Sequence, residues 1–445
     1  MDISIPPQVD DILRKLTGNG QEACVVGGCV RDSLLGRKPN DWDVATSSRP
    51  EETKRIFAGT PTIETGLKHG TVTVLSGGMP VEVTTYRVDG AYSDGRHPDA
   101  VAFTGSLKED LARRDFTINA LAYRPGSGLV DLFGGRDDLA GRRIRCVGEA
   151  DRRFREDGLR ILRALRFASV LGFSIEQETA AAALRNRELL DRIAKERIQA
   201  EFTKLLCGKG ASKILREYRE IIARFIPEIR PAFGFEQHNP HHSFDVWEHT
   251  LRCVDAVEPE PALRLAVFLH DLGKPSCYSR DADGVGHFYG HAAAGGELAR
   301  KILARLRYDK KTAGTVLTLV KCHDQPLPPD ERLLRRRLNK LGEKNLRLLF
   351  RVAAADTKGK SPADRARLAS LRKAEAVLET LLARNACFSL GGLAVNGGDL
   401  LKIGVPEGTE VGRTLRALLD AVMDGKCPNS KEALLAYARK GVTGP

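Results

Sequence analysis

Two aspartates separated by one residue, Asp41 and Asp43, are the first side chains in this sequence from which chemistry can be read. On a strand, residues two apart point the same way, so both carboxylates share one face. Two such groups can hold a pair of Mg²⁺ ions. One ion would lower the pKa of an attacking hydroxyl, and the other would neutralise a triphosphate and its departing pyrophosphate. Ahead of them stands Gly27-Gly28-Cys-Val-Arg31-Asp32. Gly27 and Gly28 let backbone N–H groups approach phosphate at a helix start, and Arg31, one turn in, adds a charged fork. Taken singly, Asp-x-Asp is also an exposed turn and Gly-Gly a tight bend. The order strand, Gly-Gly, helix, strand, Asp-x-Asp is more specific. Glu82, in Val81-Glu-Val-Thr-Thr, is either a third carboxylate on a neighbouring strand or an ordinary outward-facing glutamate.

A second set follows at Asp157, Arg160, Arg163 and Arg166. Three-residue steps place these on one slowly drifting helix face, with Leu159, Leu162 and Leu165 on the core side. Aspartate only accepts hydrogen bonds and arginine only donates. Cytosine and adenine each present an exocyclic amine beside an unprotonated ring nitrogen, so Asp157 can accept from the amine while Arg160 donates to the ring. Guanine and uracil present the reverse polarity, leaving like groups facing each other. A solvated salt-bridge face has the same spacing.

A third set is rich in histidine: His249, His270-Asp271, His291, His323 and Asp356. His270-Asp271 sits in Phe-Leu-His-Asp-Leu-Gly-Lys, an apolar helix ending at glycine. Mixed nitrogen and oxygen donors suit Mn²⁺, Fe²⁺, Ni²⁺ or Mg²⁺ rather than structural zinc.

The elements that must position these groups divide the chain. The first 150 residues read as mixed α/β: a helix over Val9 to Leu16, a strand over Ala23 to Val26, a helix over Val30 to Leu35, and a strand from Trp42 to Ala45. Further strands run from Thr71 to Leu75 and Val81 to Tyr86, and Asp89 to Pro98 reads as a loop. After Asp151 strand signals disappear, and Arg153 to Leu171, Glu178 to Ala194 and Arg197 to Leu206 read as helices. A proline- and histidine-rich joint runs from Pro227 to Pro240. The expected organisation is residues 1–150, 151–235, 236–360 and 361–445, the last three helical.

In order along the first half of the chain, Gly27-Gly28-Cys-Val-Arg-Asp with Asp41-Trp-Asp43, then Arg113-Arg114-Asp115-Phe-Thr-Ile-Asn-Ala, Asp131-Leu-Phe-Gly-Gly-Arg-Asp-Asp-Leu and Glu156-Asp157-Gly-Leu-Arg160-Ile-Leu-Arg163-Ala-Leu-Arg166-Phe stand in register. This resembles the four signatures of the class II tRNA nucleotidyltransferase and bacterial poly(A) polymerase family. The resemblance implies an α+β fold: a polymerase-beta-like nucleotidyltransferase head (1–150), a helical neck and RNA- and nucleotide-binding body (151–235), and a helical tRNA-binding tail (361–445). It implies base selection by Asp157 and Arg160, nucleotide contacts from Arg114, Arg163 and Arg166, and a sugar or phosphate contact from Asn119. The partners implied are ATP, CTP and the tRNA acceptor end. Gly66-Leu-Lys-His-Gly-Thr-Val-Thr-Val and Glu82-Val-Thr-Thr-Tyr-Arg87 resemble the CCA-adding branch, where poly(A) polymerases usually carry a basic Gly-Arg-Arg-Phe-type segment. The Asp89–Pro98 loop resembles that of enzymes adding the full CCA. His249, His270, Asp271 and Asp356 resemble the first-metal set of an HD phosphohydrolase domain (236–360), with His291 and His323 completing a binuclear site. A 2′,3′-cyclic phosphodiesterase or phosphatase acting on RNA ends is the activity this suggests. The alternatives are a poly(A) polymerase, a mainly metal-dependent phosphohydrolase, and an RNA-binding protein with an inactive head.

Composition agrees with an anionic partner. The formal net charge is +12 over 445 residues, and for a chain with these motifs nucleic acid is the usual counterpart. Arg335-Arg336-Arg337, Lys340, Lys344, Arg347 and Arg351 are candidates to grip phosphates, or form a solvated face. Nine scattered cysteines without a Cys-x-x-Cys pair argue against a disulfide framework or zinc ribbon. No apolar run spans a bilayer and the start lacks a signal peptide's regions, so the expected location is cytoplasmic, away from membranes.

Overall fold

A computed structural model describes residues 3–64, 66–90, 101–361 and 366–442. The chain divides into two compact units, Met1–Pro227 and Glu228–Pro445.

The first unit begins with helix Pro7–Gly18, whose Val9, Ile12, Leu13 and Leu16 recur at three- and four-residue spacing and are buried. Its strands are β1 (Ala23–Val26), β2 (Asp43–Thr46), β3 (Thr62–Ile63), β4 (Thr71–Ser76), β5 (Met79–Thr85), β6 (Arg87–Asp89), β7 (Val101–Phe103), β8 (Leu121–Arg124) and β9 (Gly128–Asp131). Seven form one sheet in the order β3-β4-β5-β2-β1-β8-β9, while β6 and β7 pair as a separate ribbon. Only β2 and β5 run parallel among the pairs of that sheet. Strand β1 is wholly buried and β4 alternates, as a central and a one-sided strand should. At the end of β1, Gly27 adopts φ +79°, and its N–H donates to Leu121 at 3.0 Å, turning the chain into helix Gly28–Leu34.

Three expectations are corrected. Strand β2 starts at Asp43, so Asp41 stands on the approach to it; buried Trp42 lies between the two acids. The helix expected from Arg153 to Leu171 is two helices, Ala150–Glu156 and Leu159–Leu171, broken at Asp157 with φ −144° and ψ 106°. Asp157 therefore does not share a helix face with Arg160. Gly158 sits at the break, where its ideal Cβ would lie 2.9 Å from that of Leu189, so the close approach of that segment selects glycine. Strands also persist past Asp151: Ser174–Ile175 pairs in parallel with Arg143–Ile144, and Ser279–Arg280 pairs antiparallel with Gly286–His287. The loop segment 91–98, expected from its glycines and aspartates, lies outside the described residues.

The second unit is mainly helical. Helix Val246–Asp255 packs on Glu331–Gly359, and Lys310–Cys322 packs on both Pro261–Leu269 and His291–Arg305. Asp245, Asp309 and Asp330 cap three of these helices by accepting backbone N–H bonds. The last 60 residues carry a small core of Leu400, Leu418, Val422 and Leu434.

Candidate functional site

In the first unit, a cleft of about 470 Å³ is lined by Gly27, Gly28, Arg31, Asp43, Arg114, Asp157, Arg160, Arg163 and Arg166. Parallel pairing sets Asp43 directly beside Glu82, which decides Glu82's ambiguity by register: it neighbours the acid pair. Burial pushes the Asp43 carboxyl up to about 6, the charge of Glu82 adds to this, Arg114 opposes it, and Asp41 adds a smaller push. Asp43 and Glu82, side by side on parallel strands, offer carboxylate oxygens of the kind a hard divalent cation takes. Asp41 itself is exposed and does not line the cleft.

The remaining expected residues are held by partners. Arg31 donates to Asn119 at 2.6 Å and to Asp32 at 2.9 Å, and lies over Phe167. Asn119 donates to Asp115 at 3.0 Å, and Asp115 pairs with Arg163 at 2.6 Å. Burial alone would raise Asp115, but the Arg163 charge and the bonds from Asn119 and Arg163 outweigh it and bring its carboxyl to about 2. Arg166 pairs with Glu201 at 2.5 Å and stacks 3.7 Å over Phe167. Arg114 pairs with Asp110 at 3.2 Å, and its Nη1 would lie only 2.9 Å from a Cβ on Gly27.

Asp157 accepts the Leu159 N–H at 3.0 Å and pairs with Arg197 at 2.9 Å. Arg160 pairs with Glu156 at 2.6 Å and donates to the Arg113 carbonyl at 3.3 Å. Glu156, Asp115 and Arg197 received no role from sequence reasoning. Arg197 sits in an amphipathic helix, Lys195–Leu206, where a solvent-facing cation reads identically. The Glu156-to-Arg160 spacing of four was the available signal for that pair.

The second unit brings its histidine and aspartate set together. His249 Nε2 lies 3.3 Å from both Asp271 and Asp356, and His270 Nε2 lies 3.2 Å from Asp271. His291 and His323 lie 3.6 and 3.4 Å from the other Asp271 oxygen. Asp271 thus belongs to two possible ligand groups, one with His249, His270 and Asp356, the other with His291 and His323. The Nδ1 atoms of His270, His291 and His323 each donate to a backbone carbonyl at 2.7 Å, which turns every Nε2 lone pair toward the cluster. Asp271 Oδ2 pairs with Lys274 Nζ at 2.7 Å, whereas Asp271 Oδ1 and His270 Nε2 are buried without a hydrogen-bond partner. Burial would raise Asp271, but the charges of His270 and Lys274 hold it well below the usual carboxylate range. Imidazole nitrogens and carboxylate oxygens converging on one point, with Asp271 Oδ1 and His270 Nε2 left over, fit a bound divalent cation. His270-Asp271 follows helix Pro261–Leu269 rather than lying inside it.

The basic run is largely engaged internally. Arg336 pairs with Asp424 at 2.6 Å, Arg347 with Glu343 at 2.8 Å, Arg335 bonds Glu331 and the Val422 carbonyl, and Arg351 lies 3.8 Å from Glu258. Lys340 and Lys344 are exposed.

Comparison with known proteins adds three findings. Residues 23–145 match the Poly A polymerase head domain, residues 291–438 match tRNA nucleotidyltransferase domain 2, and residues 172–233 match the "Probable RNA and SrmB-binding site of polymerase A". A CCA-adding enzyme of Lactobacillus delbrueckii subsp. bulgaricus is 51% identical over 211 residues, 47% of this chain and 53% of the relative. One of Geobacillus kaustophilus is 42% identical over 269 residues, 58% and 66% respectively. The match to the first of these curated relatives thus spans about half its length. The crystal structure of the Bacillus stearothermophilus CCA-adding enzyme in complex with CTP superposes with a TM-score of 0.77 at 32% identity, covering 98% of both chains.

Proposed function

The chain belongs to the family of CCA-adding enzymes, and on that premise we propose that it transfers CMP and AMP from CTP and ATP to the tRNA 3′ end without a nucleic-acid template. The observation that carries this reading is that one cleft contains both Asp43, beside Glu82, and the Asp157 and Arg160 couple. Asp41 and Asp43 would hold Mg²⁺, with Glu82 as the neighbouring acid. When bound, the metal makes the 3′ hydroxyl more acidic and offsets triphosphate charge. Gly27 and Gly28 open the backbone to phosphate, and Arg31, Arg114, Arg163 and Arg166 supply positive charge around the nucleotide. Arg197 and Glu156 lock the two base-reading side chains in place, so their polarity is fixed before a base arrives. C and A then complete the pattern, whereas G and U leave a buried donor facing a donor.

Head, neck and body, HD domain and tail at 1–150, 151–235, 236–360 and 361–445 are the working division. No helix among the described residues is long and apolar enough to cross a membrane; a cytoplasmic location follows from the proposed tRNA substrate. The test is to incubate tRNA lacking its CCA end with CTP and ATP, together and singly, and read product length. Growth stopping after C, C and A is expected; a long ladder of A would replace this reading by poly(A) synthesis.

A second activity is favoured by the convergence of His249, His270, Asp271 and Asp356, with Asp271 common to a further group of His291 and His323. We propose a metal-dependent phosphohydrolase of the HD type, holding Mn²⁺, Fe²⁺, Ni²⁺ or Mg²⁺ through His249, His270, Asp271 and Asp356, with His291 and His323 at a second position. Cyclic-phosphate hydrolysis that survives His270→Ala and Asp271→Ala would dispose of it.

A further inference from the structure

The cleft beside the Asp271 cluster, about 320 Å³ in volume, has aromatic rings in its lining. The hairpin Ser279–Arg280 with Gly286–His287 delivers His287, and Asp281 holds that ring by its Nε2 at 2.7 Å. Tyr289 stacks on the His287 imidazole, with ring planes 8° apart and centroids 5.4 Å apart. Its hydroxyl lies 3.5 Å from His287 Nδ1. At 80% exposure, no other large apolar or aromatic side chain among the described residues is as open to solvent. A ring braced from one side and bare on the other is already ordered, so stacking on it costs little further side-chain entropy. The same cleft is lined by Asp271, Lys274, Lys360 and Arg367, and Asp271 Oδ1 is buried without a hydrogen-bond partner.

Resting on the reading of this cluster as a metal-dependent phosphoester site, we infer that the cleft takes a nucleoside phosphate, its base stacked on Tyr289 and its phosphate at the Asp271 cluster. Tyr289 is then the residue that separates nucleotide ends from base-free phosphate esters. Stacking tolerates any base, because every base has a π-face. Such a site would accept RNA 3′ ends irrespective of sequence.

The test is calorimetric titration of the full chain loaded with Mn²⁺, with Asp157→Ala and Arg160→Ala installed to disable base reading in the first unit. Adenosine 2′-monophosphate should bind at least about tenfold tighter than inorganic phosphate. Tyr289→Ala should remove about tenfold of nucleotide affinity and leave phosphate affinity unchanged, and Tyr289→Phe should retain the parent's preference. Nucleotide binding unaltered by Tyr289→Ala would overturn the inference while leaving the phosphoester reading in place. If neither ligand binds, and Asp271→Ala changes nothing, the phosphoester reading falls and the inference falls with it.

Discussion

Asp157 illustrates how one side chain can be readable as chemistry and misread as geometry. Its role as an acceptor follows from its type, but its orientation depends on Arg197, forty residues later and 2.9 Å away. Arg197→Ala should therefore relax base choice without touching the acids beside Asp43. Single-turnover incorporation of UTP against CTP is the measurement, and a loss of about ten- to a hundredfold in preference is expected from leaving Asp157 held by the Leu159 N–H without its charged partner; Arg197→Lys should restore part of it. Asp115 carries a separate prediction. Its carboxyl lies at about 2 in the folded chain, below its unfolded value, so its stabilisation is present above the unfolded pKa. That contribution, about 2 kcal/mol from the shift, is lost as pH falls from about 5 toward 2. Denaturant titrations across that window should show the slope in the parent, and Asp115→Asn should flatten it.

Elements fix what isolated residues cannot. The second cluster forms because helices begin or end beside it: His291 opens one helix, while His270 and His323 follow two others, with His249 and Asp356 inside a further pair. Gly273 permits this convergence. An ideal Cβ there would stand 2.2 Å from the His291 carbonyl and 2.5 Å from the Gly295 N. Gly273→Ala should push helix His291–Arg305 outward and take His291 with it. Metal retained after dialysis, measured by elemental analysis, is expected to fall at least about tenfold in affinity while far-UV circular dichroism keeps its helical signal. Unchanged metal affinity would show that the approach is not a constraint.

At the scale of the whole molecule, net charge is the property that matters for the proposed RNA partner. A chain carrying +12 should bind tRNA largely by displacing counterions. Affinity for tRNA lacking CCA should fall by about tenfold or more between about 50 and 200 mM salt, with log K linear in log salt. Arg335, Arg336 and Arg347 are already bonded to protein groups, so their removal should perturb the helices they tie before it changes that slope. Lys340→Ala with Lys344→Ala is the cleaner probe, and a slope reduced by about two would place both lysines on phosphate.

Residue order alone was enough for the signature motifs, the strands over Ala23 to Val26 and Val81 to Tyr86, the helical second half, and the histidine set, because hydrophobic period and donor type are local properties. The place of Glu82 beside Asp43, the break that lifts Asp157 off the Arg160 helix, Arg197 as its partner and Asp271 as a ligand common to two groups were decided in three dimensions. Each depends on strand register or on contacts between segments tens of residues apart. Local pattern carries no record of such pairings, since an arginine facing solvent and one facing a buried carboxylate occupy the same helical position in the text of the chain.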